Sequence, residues 1–112
     1  MDCIFCKIAK GEIPSTKVYE NEDVLAFNDI EPQAPVHIVI IPKAHISSPA
    51  DITKDNFEIA GKMFLAASEI AKELKLEKGF RIVSNCGEDG GQSVGHLHFH
   101  MLAKRSLEWP PG

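Results

Sequence analysis

The sequence predicts an α+β domain: one antiparallel sheet of about five strands, a common sheet size, with one long and one short helix packed on one of its faces. Three observations carry this. Short β-branched and aromatic runs are separated by tight turns, and strands joined that way pair antiparallel. A single long segment, 53 to 79, spaces its apolar residues as a helix does. Near the C-terminus, "GHLHFHMLA" alternates histidine with apolar residues, which is the period of a strand.

The elements follow in order. "IFCKIAKGEIP" reads as a short helical turn stopped by Gly11 and Pro14. "KVYEN" and "DVLAFND" read as strands around a turn at Asn21–Glu22, and "IEPQAP" is a loop. "VHIVIIPK" is nearly all apolar and β-branched, as a central strand would be. The long helix takes Thr53 as N-cap, carries an apolar stripe of Phe57, Ala60, Phe64, Ala67, Ala71 and Leu74, and ends before Gly79. "FRIVSN" is a further strand, "NCGEDGGQSV" a glycine-rich loop, and residues 95 to 103 the last strand.

The 112 residues are 44% hydrophobic and 25% charged, ordinary for a globular protein. The length suits one domain, 1–112, with 106–112 as a tail. The net charge of −4 and the lack of a basic run argue against a nucleic-acid surface. No stretch approaches the roughly 20 apolar residues of a membrane span, and no secretion signal opens the chain, so a cytoplasmic location is expected. There, three cysteines point to metal or chemistry rather than to disulfides.

On a strand, His96, His98 and His100 share one face, and Leu97, Phe99 and Met101 share the other. Two chemistries fit such a row. The histidines can ligate a catalytic zinc, or one imidazole can attack phosphorus or acyl carbon while its neighbours orient it and handle protons. Spacing does not choose between them. The adjacent loop, with Gly87, Gly90, Gly91, Gly95, Gln92 and Ser93, suits close approach to a phosphate but lacks the Gly-Lys-Ser/Thr of a P-loop.

Cys3 and Cys6 form a C-x2-C pair, half of a four-ligand zinc site. The other ligands must come from His37, His45, His96, His98 or His100. His45, just past the central strand, and His96, at one end of the row, are the expected pair, leaving His98 and His100 free. A closed four-ligand zinc has no open position, so this metal would be structural. Cys86 has no partner in this scheme and reads as a plain loop thiol.

"CIFCKIAKGEIP", "AFNDIEPQAPVHIVIIPKAHI", "GGQSVGHLHFHML" and the terminal "WPPG" occur in an order that resembles the histidine triad (HIT) family, and the ending resembles its Hint branch, the purine nucleoside phosphoramidases. The resemblance covers nearly the whole chain and implies a HIT-like fold. It implies that His98 attacks the α-phosphorus of a nucleoside 5′-phosphoramidate, that a nucleotidyl-histidine forms, and that water then releases an AMP- or GMP-type monophosphate. It further implies His100 and Ser93 around the phosphate, Asp29 on the ribose, Ile30 near base or sugar, and Asn85, Gly91 and Gln92 on the phosphate side. Zinc on Cys3, Cys6, His45 and His96 and a side-by-side homodimer are also implied. The chain departs from the pattern at Ala103-Lys104-Arg105, where many relatives carry two glycines, and at Gly95, where many carry a larger residue. Two rival readings are a nucleotide sensor with little turnover and a hydrolase whose triad ligates a catalytic zinc.

Overall fold

The computed structural model describes residues 3–112. Its elements are α1 (Ile4–Ala9), β1 (Lys17–Glu20), β2 (Val24–Asn28), β3 (Val36–Pro42), a 3-10 turn (Pro49–Asp51), α2 (Glu58–Glu73), β4 (Phe80–Val83) and β5 (Phe99–Ala103). The strands form one five-stranded sheet in the order β1-β2-β3-β5-β4, antiparallel at every pairing. β3 is the central strand, as its composition predicts. The β1–β2 turn is closed by Asn21, whose Oδ1 accepts the N–H groups of Asp23 and Val24, both at 2.9 Å. That local bonding is why asparagine favours turns.

The helices lie on opposite faces of the sheet, not on one as expected. Val24, Ala26, Ile38, Ile40 and Met101 pack with Met63, Ala66, Ala67 and Ile70 of α2. Leu25, Phe27, Val39 and Ile41 pack with Cys3, Phe5 and Ile8 at α1. β2 and β3 are apolar on both faces, and such strands must be covered on both sides.

Two further expectations shift. The buried stripe of α2 is Met63, Ala66, Ala67 and Ile70, whereas Phe57, Phe64 and Leu74 are exposed. Both sets have three- and four-residue spacing, so periodicity alone cannot rank them; the small Ala66 and Ala67 let the helix sit close to the sheet. Thr53 does not cap α2. It opens a preceding turn, where its Oγ1 accepts from Asp55 N at 3.2 Å and its N–H donates to Asn56 Oδ1 at 2.7 Å.

The last strand is shorter than residues 95 to 103. The β3–β5 ladder begins at the Ile40–Phe99 pair. Farther along β3 stands Pro42, which has no N–H for a ladder; its carbonyl instead takes a bond from His96. The side-chain alternation persists past the ladder's end, since Leu97, Phe99 and Met101 all enter the α2-side core.

Among the described residues, no helix is long and apolar enough to cross a membrane.

Candidate metal centre and candidate active site

Three segments remote in sequence meet at the N-terminus of α1. Cys3 is the N-cap and Cys6 lies in the first turn, His45 follows β3, and His96 closes the glycine loop. Their Sγ and Nδ1 atoms all lie within 4.8 Å of one another. His96 Nδ1 is 3.3 Å from Cys3 Sγ, 3.5 Å from Cys6 Sγ and 3.1 Å from His45 Nδ1, and Cys6 Sγ is 3.2 Å from His45 Nδ1. A tetrahedral zinc with ordinary bond lengths sets N–N and N–S edges of roughly 3.3–3.6 Å.

Proton placement agrees with that geometry. His96 Nε2 is 2.8 Å from the Pro42 carbonyl. A carbonyl only accepts, so Nε2 carries the hydrogen and Nδ1 keeps its lone pair for a metal. His45 Nε2 faces Ser47 Oγ at 3.4 Å and likewise leaves Nδ1 inward. Without a cation, burial and the Cys3 thiol push the Cys6 thiol up, and burial pushes the fully enclosed His96 down. The four residues thus form a closed donor set able to hold a metal ion, with no protein-free position for substrate.

The triad does not converge on one point. His96 belongs to the cysteine cluster; His98 and His100 face a cleft of about 460 Å³ on the α1 side of the sheet. One ion cannot take all three triad histidines here, because His96 joins the cysteine cluster while His98 and His100 face the cleft. The cleft has an apolar floor from Ile4, Phe5, Ile8, Phe27 and Val39, and a polar side from Asn28, Asp29, Ser93 and the two histidines.

His98 donates from Nδ1 to its neighbour His96's carbonyl at 2.7 Å. That bond fixes the tautomer and places the lone pair on Nε2. No buried polar side-chain atom among the described residues lacks a partner, so Nε2, which has none in the protein, opens to the cleft. Phe5 of the cleft floor stands edge-on to the ring, centroids 5.1 Å apart.

His100 presents the opposite polarity. The backbone N–H of Gln33 donates to His37 Nδ1 at 3.0 Å, so the hydrogen of neutral His37 sits on Nε2. That atom is 2.9 Å from His100 Nδ1 and 3.3 Å from Asp29 Oδ2. His100 Nδ1 is thus an acceptor, and neutral His100 carries its hydrogen on Nε2 as a donor. Burial, then the nearby His98 and His37, push His100 below the ordinary imidazole range, against the pull of Asp29. The cleft therefore offers a lone pair from His98 beside an N–H from His100.

Of the other expected residues, Asp29, Ile30 and Ser93 line this cleft. Asp29 also accepts from Glu31 N at 2.8 Å. Asn85, Gly91 and Gln92 do not line it. Gln92 braces the loop: its Nε2 donates to the carbonyls of Ser47 at 2.7 Å and Val94 at 2.9 Å, and its Oε1 accepts from Gly87 N at 3.0 Å. Gly91 takes φ +74°, the left-handed region glycine favours. Sequence reasoning considered His37 only as a zinc ligand and missed its bond to His100; a lone histidine inside an otherwise apolar strand was the available signal. A larger hollow of about 620 Å³ between Lys75 and Ser106 contains none of the histidines; Lys75 and Lys78 follow the C-terminus of α2, where cations offset the helix dipole.

A sheet that carries a row of three histidines from a glycine loop to a cleft lined by two of them defines a histidine triad protein. The comparisons agree. Residues 2–108 match the family described as scavenger mRNA decapping enzyme C-term binding. A 14 kDa zinc-binding protein of Zea mays is 51% identical over 97% of this chain and 87% of its own length. A HIT family hydrolase from Legionella pneumophila superposes with a TM-score of 0.96 at 47% identity, over 99% of this chain and 100% of that one. A histidine triad nucleotide-binding protein from Candida albicans superposes with a TM-score of 0.85 at 35% identity, covering 97% and 83%. The chain belongs to the HIT family.

Proposed function

We propose that the protein is a cytoplasmic hydrolase of purine nucleoside 5′-phosphoramidates and related mixed phosphates, acting through a nucleotidyl-His98 intermediate. The observation that carries this reading is the 2.7 Å bond from His98 Nδ1 to the His96 carbonyl, which leaves Nε2 as the lone pair in the cleft. Relatives described as a HIT family hydrolase and a histidine triad nucleotide-binding protein support the class of reaction and of ligand.

The chemistry divides into two displacements. His98 Nε2 attacks the α-phosphorus; the P–N bond to the amine breaks and an N–P bond to the imidazole forms. The ring is now cationic, and the His96 carbonyl stabilises its remaining N–H. His100 Nε2–H donates to a phosphate oxygen, and the Ser93 hydroxyl donates toward the leaving nitrogen or an oxygen; the nitrogen takes a proton from solvent as the P–N bond breaks and departs as the amine. Such donors, aimed at developing charge, account for much of the rate of phosphoryl transfer. Water then attacks the same phosphorus, breaks the N–P bond and releases the nucleoside monophosphate, its proton passing to solvent and His98 returning to the neutral form.

Asp29 faces the ribose hydroxyls, Ile30 flanks base or sugar, and the apolar floor takes the purine. Asn85, Gly91 and Gln92 act on the phosphate side by shaping the loop that presents Ser93. Zinc on Cys3, Cys6, His45 and His96 is structural; the relative from Zea mays described as zinc-binding supports that choice of metal.

The protein acts as a homodimer. β4 is an open sheet edge, and its Phe80 is an exposed apolar side chain; unpaired edges flanked by apolar surface invite pairing. Light scattering on the 12.3 kDa chain should return twice that mass.

The test of the activity is hydrolysis of a fluorogenic adenosine 5′-phosphoramidate, with a trapped 5′-nucleotidyl adduct located by mass spectrometry. An adduct on His98 is the expected result. Turnover with no adduct on any histidine, or tight AMP binding with no turnover, would end this reading.

A further inference from the structure

α1 stands between the two sites and belongs to both. Cys3 and Cys6 face the metal cluster, while Ile4, Phe5 and Ile8 line the cleft. Phe5 links them directly: its ring meets His96 edge-on at 5.9 Å and His98 at 5.1 Å. The helix has only six residues, far short of the about 12–15 that an isolated helix needs for even marginal stability. Side-chain anchoring must therefore hold it in place.

The anchors are unequal. His96 is tied to the sheet side independently of any metal, through Pro42, and His45 leans on Ser47. Cys3 packs with Leu25, Phe27, Val39 and Ile41, but among the described residues the polar partners of the two thiols outside α1 are the cluster histidines alone. The core beneath α2 contains no residue of α1, so the α2 face of the sheet keeps its packing when α1 loosens; on the other face Phe5 and Ile8 cover Leu25, Phe27, Val39 and Ile41. A metal gained or lost at this cluster would thus act mainly on α1.

Building on the nucleotide reading above, we propose that the metal held by Cys3, Cys6, His45 and His96 fixes α1 as the floor of the nucleotide cleft, so that metal occupancy sets affinity for the nucleoside monophosphate. When the metal leaves, the two cysteines release, α1 loosens, and the apolar floor formed by Ile4, Phe5 and Ile8 is lost. His98 keeps its bond to the His96 carbonyl, and the His37–His100 pair keeps its own. The effect falls on binding more than on the chemical step.

The test compares the zinc-loaded protein with protein stripped by a chelator under reducing conditions, metal content being measured on both. AMP affinity is read by calorimetry and backbone protection by hydrogen exchange. The expected result is AMP binding weakened about tenfold or more, loss of protection confined to residues 4–9, retained protection in β2, β3 and β5, and recovery of both on adding zinc. Equal AMP affinity with and without zinc would overturn the proposal, as would unchanged protection of residues 4–9. Loss of protection across the whole sheet would also overturn it, because the metal would then hold the entire fold. A loaded protein that binds no AMP at all would defeat the nucleotide reading itself, and the affinity claim with it.

Discussion

Two clusters at the two ends of the histidine row make an instructive pair. Cys3, Cys6, His45 and His96 bring their donor atoms within 4.8 Å of one another, and so do Asp29, His37 and His100. By distance alone both could hold a cation. The difference lies in where the protons sit. At the first cluster, His96 Nε2 donates outward to Pro42, so the inward Nδ1 is a lone pair. At the second, the Gln33 amide occupies His37 Nδ1 as acceptor, so the inward Nε2 carries a hydrogen. One arrangement presents lone pairs to a common centre; the other passes a hydrogen bond from ring to ring. A single backbone partner behind each histidine decides whether the centre is offered lone pairs, as a metal needs, or a hydrogen-bond relay from ring to ring.

The comparison can be broken by removing one group at a time. The largest effect is expected at His98, which belongs to neither cluster. His98→Ala should lower phosphoramidate turnover by about 10³-fold or more while zinc content, measured by emission spectrometry, stays unchanged. Loss of zinc in that variant would return the triad to a metal role.

Next come the cysteines. Cys3→Ser and Cys6→Ser should each abolish tight zinc binding and lower Tm, whereas His37→Ala should keep one zinc per chain. If His37→Ala lost the metal, the assignment of the second cluster as a relay would be wrong. Zinc affinity should rise with pH, because the metal must displace thiol protons and burial raises the Cys6 thiol above its usual range.

His37→Ala sharpens the relay itself. His100 then loses its hydrogen-bond donor, and turnover should fall by about 10–100-fold, the usual cost of removing an orienting partner. The acidic limb of the pH–rate profile should move at the same time; a lower rate with an unmoved profile would mean that His37 serves only packing.

The smallest effect concerns stability. Burial lowers the folded-state values of both His96 and His100 below the ordinary 6.5. The unfolded chain therefore takes up protons first as the pH falls. The stability that these neutral rings contribute is complete above about 6.5 and is lost below it, down to their folded values. Metal-free protein should show Tm dropping as pH is lowered from 7 toward 5, and His100→Asn should flatten part of that slope.

Much of the local structure is legible in the sequence because it is decided locally. Asn21 closes its turn with its own side chain, and the β-branched run 36–42 has to be an inner strand. The His-x-His-x-His pattern puts three rings on one side by strand geometry alone. The packing face of α2 is different. Phe57, Phe64 and Leu74 make as good a stripe as Met63 and Ile70, and only the surface that meets the sheet selects between them.

The sequence by itself determined the fold class, the antiparallel sheet, the shared face of the histidines and the chemical character of the zinc ligands, because these depend on residue type and on periods of two or three to four residues. Tertiary structure alone decided that the helices cover opposite faces, that α1 forms the floor of the cleft, and that His37 stands behind His100. It also decided which nitrogen of each ring faces inward. Those choices rest on carbonyl and amide partners between 2 and 54 positions away, such as Pro42 for His96 and Gln33 for His37, and no sequence period records which backbone atom will arrive behind a ring.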